Sequence, residues 1–144
     1  MTENAVPATP NTTPPGTQAP DEETLALAEK LFQAAREGDA GLLGAYLAAG
    51  APASMTNAAG DSLLMLAAYH GHADTVQLIL QHGAEADKAN DRGQTPLAGA
   101  AFKGYTDVAK VLLDAGADPD AGTPSARAAA QMFARTEILE LLGN

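Results

Sequence analysis

The sequence predicts an all-α solenoid, with helix-turn-helix units stacked side by side and joined by short β-hairpin-like connections, and three observations predict it. Residues 57–89 laid over residues 90–122 match at eleven of thirty-three positions without a gap, among them Asn57/Asn90, Leu64/Leu97, Ala67/Ala100, Ala68/Ala101, Gly71/Gly104 and Gly83/Gly116. The spacing continues upstream, because Ala34, Ala35, Gly38, Leu47, Gly50 and Ala51 each stand thirty-three residues before a counterpart. Within each period, two short runs with a one-sided apolar face are separated by a glycine. Repeats of roughly 20 to 50 residues are single supersecondary units that bury their apolar faces only by stacking on neighbours.

The elements follow in order. Residues 1–20 carry Pro7, Pro10, Pro14, Pro15 and Pro20 among Thr, Ala and Asn, a composition that builds no packed core and predicts a disordered tail. Residues 21–144 form the folded domain. An N-terminal capping unit at 21–56 begins with a longer helix near Asp21, its inner face Leu25, Ala28, Leu31, Phe32 and Ala35 and its outer side wetted by Glu22, Glu23, Glu29 and Lys30. Gly38 ends that helix, and Leu42, Leu43, Tyr46 and Leu47 mark the second. The repeats 57–89 and 90–122 come next. In the latter, Thr95 is placed as an N-cap and Pro96 in the first turn, where its missing N–H is harmless. Leu97, Ala100 and Ala101 keep helical spacing to Gly104, and a second helix with Val108, Ala109, Val111, Leu112 and Leu113 runs to Gly116 at a left-handed terminus. Asn90, Asp91 and Gly93 are turn formers, so the segment between units should project as a hairpin. A C-terminal capping unit, 123–144, carries Ala129, Ala130, Ile138, Leu139, Leu141 and Leu142. It aligns only with an offset of thirty, so its hairpin should be truncated by three residues.

The run Gln94-Thr95-Pro96-Leu97 with Ala100-Ala101, Gly104, Val111-Leu112-Leu113 and Gly116-Ala117-Asp118 resembles an ankyrin repeat. The preceding unit departs from that pattern, with Leu63 in place of the family's proline and Met65 in place of its histidine; Ala98 replaces the same histidine one unit later. In the family that imidazole hydrogen-bonds within and between units, so the resemblance implies that apolar stacking supplies more of the stability here. It also implies a concave groove formed by the hairpins and the exposed side of each first helix, with equivalent positions aligned across the stack. One such row is Arg36, Tyr69, Phe102 and Met132, its neighbour is Glu37, His70, Lys103 and Phe133, and the hairpin row includes Asp61, Asp91, Arg92 and Gln94. The chain has only six aromatic residues, and Tyr69 and Phe102 occupy corresponding sites. They are either binding anchors or rings that pack on the next unit.

The charge balance narrows the partners. A formal net charge of -10 opposes nucleic acid and anionic lipid, which are bound by neutralising phosphate with Lys and Arg. Asp61, Asp87, Asp91, Asp118 and Asp120 fall in or near the hairpins, where they either keep an alanine-rich protein soluble or steer a basic protein surface to the groove. No apolar run is long enough for a membrane helix, and the first twenty residues lack the basic start and apolar centre of a secretory signal, so the expected location is the cytoplasm. The absence of cysteine excludes disulfides and a thiol nucleophile.

No catalytic motif is present: there is no G-x-S-x-G elbow and no glycine-rich phosphate loop. His70 and His72 form a two-ligand pair with no third ligand nearby, which argues for structural or solvated imidazoles rather than a metal. The expectation is therefore a monomeric protein-protein interaction module with no cofactor and no chemistry of its own. Its contact residues would be Arg36, Asp61, Tyr69, His70, Asp91, Arg92, Gln94, Phe102, Lys103, Met132 and Phe133. The alternative is an accessory or inhibitory subunit that blocks a basic enzyme or toxin.

Overall fold

The structure is a computed structural model that describes residues 21–143; the expected tail at 1–20 lies outside the described residues. Eight α-helices occur among the described residues: α1 (Glu22–Glu37), α2 (Ala40–Ala48), α3 (Leu63–Tyr69), α4 (Ala73–Gln81), α5 (Pro96–Lys103), α6 (Thr106–Asp114), α7 (Ala126–Met132) and α8 (Thr136–Leu142). Each odd-numbered helix pairs with the one that follows it. Helices α1, α3, α5 and α7 pack side by side in one layer, and α2, α4, α6 and α8 in a second.

Local chemistry sets the ends. Asp21 caps α1 through the Thr24 amide, and Ser62, Thr95 and Ser125 hold the third amide of α3, α5 and α7 through their hydroxyls at 3.0–3.1 Å. Gly104 closes α5 in the left-handed region, φ 83°, as the break after Lys103 predicts.

Among the described residues the connections are turns rather than hairpins of paired strands. One isolated bridge, Thr56 to Ser62, is present among the described residues, and the first two inter-unit turns are each shaped by an asparagine, whereas in the last the Asp118 carboxylate accepts from the Asp120 amide at 2.9 Å. The Asn57 side-chain oxygen accepts from the Ala59 and Asp61 amides, and the Asn90 oxygen accepts from those of Arg92 and Gln94, all at 3.0 Å. Asn90 also donates to Asp61 at 2.8 Å and to Gln94 at 2.9 Å, so one buried amide satisfies its own turn and grips the preceding one. Backbone bonds extend this ladder, from the Asp91 amide to Ala59 and from the Thr123 amide to Gly93. The last connection, residues 115–125, is three residues shorter than residues 49–62 and 82–95.

The core is continuous across the pairs. Leu31, Leu64 and Leu97 form one buried row, Ala35, Ala68 and Ala101 another, and Val76, Ile79, Leu112 and Ile138 fill the space behind them. The alanines allow neighbouring helices to approach closely, and the leucines interdigitate between them. In the last pair, Arg127 and Gln131 stand where the preceding unit has Leu97 and Ala101. Gln131 is exposed, and Arg127 bonds to Asp120 at 2.9 Å, so the stack ends on a polar surface.

Candidate functional site

The apolar contact that replaces the family's histidine also shapes the groove. Met65 is buried at the N-terminal part of α3 and reaches towards α5, where Gly99 faces it. A Cβ on Gly99 would sit within 3.2 Å of both Met65 Cε and Tyr69 Cδ1. Glycine inside a helix costs about 1 kcal/mol relative to alanine, and at this position it admits the Tyr69 ring between two units.

Polar locks between units nonetheless form, at a different row. The residues that open each second helix, His72, Tyr105 and Arg135, lie over the glycine that closed the first helix of the unit before: Gly38, Gly71 and Gly104. His72 Nε2 lies 2.8 Å from the Arg36 carbonyl. A carbonyl only accepts, so this contact places the proton on Nε2. Arg135 donates to the Phe102 carbonyl at 2.7 Å and to the Ala101 carbonyl at 3.3 Å. His72 is thereby occupied as a structural residue. Among the described residues no cluster of three or more His, Asp or Glu is placed to hold a metal.

Along the first-helix layer the aromatic rings meet. Tyr69 and Phe102 lie nearly parallel, 7° apart with centroids 6.4 Å apart, and Phe102 meets Phe133 edge-on at 4.9 Å. Phe102 remains 43% exposed, Phe133 42% and Met132 67%, whereas Tyr69 is half-buried. Packing on the next unit and exposure to solvent therefore coexist in this row. Lys103 Nζ stands 5.0 Å from the Tyr69 ring centre and the Arg135 guanidinium 5.8 Å from that of Phe133, both within cation–π range.

Two adjoining hollows lie between this layer and the turns. The larger, about 270 Å³, is bounded by Tyr69, Gly99, Phe102, Met132 and Phe133 on the helix side and by Arg92, Gln94 and Pro124 on the turn side. The other, about 220 Å³, lies between Asp61, Met65, Leu66, Tyr69, His70, Arg92 and Gln94. Tyr69, Arg92 and Gln94 line both. Of the eleven predicted contact residues, eight line one or both hollows. Lys103 stands beside them over Tyr69, while Arg36 and Asp91 line neither. A hollow of about 320 Å³ elsewhere, at Ala53, Ser54, Gly83 and Lys88, has small and polar walls and carries no aromatic ring.

Gly99, Pro124 and Arg135 belong to the site although the repeat rows did not nominate them. Gly99 had a signal in the sequence, a glycine inside an otherwise apolar helical run. Arg135 had one only as a cation where the preceding units have His72 and Tyr105.

His70, on the wall of the smaller hollow, has a displaced titration. Partial burial, and then the positive neighbours His72, Lys103 and Arg36, hold its pKa below the ordinary histidine value. An NMR titration of this imidazole is expected to give a midpoint below that value, and Lys103→Gln to move it upward. A midpoint at or above the ordinary value contradicts the placement of these cations.

No helix among the described residues is long and apolar enough to cross a membrane. No curated protein matches the chain. The family model of ankyrin repeats matches residues 31–123 as three copies, and repeats of this kind are in general protein-protein interaction modules, typically non-catalytic. Covering well over half of the chain, that match shows that this protein belongs to the ankyrin-repeat family.

Proposed function

We propose that this protein binds a partner protein through the face made by α3, α5, α7 and their turns, and that it performs no chemistry of its own. The observation that carries the reading is the aromatic row Tyr69, Phe102 and Phe133, which spans three units, packs ring on ring and stays open to solvent. Large rings held by a rigid scaffold gain contact area on binding with little ordering cost. Tyr69, Phe102 and Met132 are the proposed anchors, with Asp61, His70, Arg92, Gln94, Lys103 and Phe133 around them and Arg36 and Asp91 at the periphery. We place the protein in the cytoplasm as a monomer. The test is affinity capture from the native cell with the wild-type chain beside the Tyr69→Ala/Phe102→Ala variant. A partner retained only by the wild type supports the groove, and one retained equally by both rejects it.

A second reading has an observation of its own. Asp87, Asp91, Asp118 and Asp120 are all exposed along the connections of a chain with net charge -10, which suits an inhibitory or accessory subunit that covers a basic enzyme or toxin. Steep weakening of the complex with salt, and its loss on reversing these carboxylates rather than the aromatic row, distinguishes that reading.

A further inference from the structure

The larger hollow has a local charge opposite in sign to that of the chain. The sequence holds 18 Asp and Glu against 8 Lys and Arg, yet no acidic residue lines this hollow and Arg92 does. Two more cations edge it, Lys103 over Tyr69 and Arg135 over Phe133. Among the described residues the ion pairs are Lys110 with Asp114 and Arg127 with Asp120, and none of the three groove cations enters one. Of the turn carboxylates, Asp61 lines the adjoining hollow and accepts from Asn90 at 2.8 Å, and that of Asp91 lies over Gly60.

Size and wall chemistry define the occupant. At about 270 Å³ the hollow is smaller than a typical small-molecule site of roughly 300 to 1,000 Å³, and suits one or two side chains. Its aromatic walls favour a large apolar group, while cations without ion-pair partners at its edge favour carboxylate beside that group. Resting on the groove reading above, we propose that this hollow binds a linear segment of the partner protein in which a large apolar side chain is flanked by Asp or Glu. The apolar side chain enters between Phe102, Phe133 and Gly99, and the flanking carboxylates meet Arg92 on the turn side and Lys103 on the helix side. The acidic surface elsewhere repels acidic chains in general, so only one that also seats an apolar side chain in the hollow gains the contact that offsets the repulsion.

The test is selection of a phage-displayed random peptide library on the immobilised full chain. Recovered sequences are expected to share a large apolar residue next to Asp or Glu. Their affinity should fall about tenfold or more with Arg92→Glu or Lys103→Glu, fall with Phe102→Ser, and hold with Lys110→Glu on α6. Arg92, Lys103 and Phe102 are exposed, and an unchanged thermal midpoint for each variant shows that it is folded. Recovery of apolar sequences flanked by Lys or Arg that still depend on Phe102 overturns the acidic assignment and leaves the groove reading standing. Sequences indifferent to Phe102→Ser, or no enrichment at all, overturn both.

Discussion

Replacing Tyr69 and Phe102 together with alanine is expected to weaken partner binding by about 2 kcal/mol or more, roughly thirtyfold in Kd, while far-UV circular dichroism keeps its helical signal. The magnitude follows from where the rings stand. Phe102 is 43% exposed and Tyr69 half-buried at the wall shared by two hollows, so a partner that fills either hollow gains most of its apolar contact there. The rings touch, with centroids 6.4 Å apart, so their effects should not be additive. Each single replacement removes the support of the other ring as well as its own area, and the double variant should lose less than the two singles combined. The helices survive because the core beneath them is made by Leu64, Leu97 and the alanine rows, none of which depends on either ring. Isothermal calorimetry against the captured partner, or against the selected peptide, measures the loss.

Leu97→Ala is expected to have the largest effect on stability, about 2 to 5 kcal/mol. Leu97 is fully buried between the rows of two units, and its neighbours Ala67, Ala68, Ala100 and Ala101 are too short to move into the space it vacates. A stack holds together by intrinsic unit stability and nearest-neighbour contacts alone, so a defect in the third helix pair separates the pair after it from the pairs before it. The urea midpoint should therefore fall, and the transition should become shallower as the two ends begin to unfold separately. A drop in midpoint with an unchanged slope would show that the stack still melts as one unit.

The fold was largely legible because its rule is periodic. One alignment at thirty-three residues places Thr95 as a cap, Gly104 as a left-handed terminus and the Leu64/Leu97 row in the core, and each of these depends on local chemistry that a single chain displays. The turns were less legible. That Asn57 and Asn90 match could be read directly, but that Asn90 reaches back to Asp61 depends on the distance between units, which a repeat period does not encode. The candidate site divides in the same way. Tyr69 and Phe102 share a row within intact repeats, so their adjacency follows from the period. Phe133 belongs by register with Lys103, yet from its place at the C-terminal end of α7 its ring meets Phe102, a contact between rows that a repeat period does not encode. The locally basic hollow was hidden beneath the net charge, since composition averages the turn carboxylates with cations that only the fold gathers around Phe102.

The central claim is that the helix pairs share one uninterrupted apolar interior and leave the aromatic row outside it. Native-state thiol labelling tests it most directly, because the sequence contains no cysteine and a single introduced thiol reports only its own position. Phe102→Cys and Ala100→Cys differ by two positions on α5, one exposed and one completely buried. The account predicts that the thiol of Phe102→Cys reacts as fast as a free thiol. That of Ala100→Cys should react on the order of a thousandfold more slowly or less, waiting for the stack to open. Equal rates at the two positions, whether both fast or both slow, would contradict it.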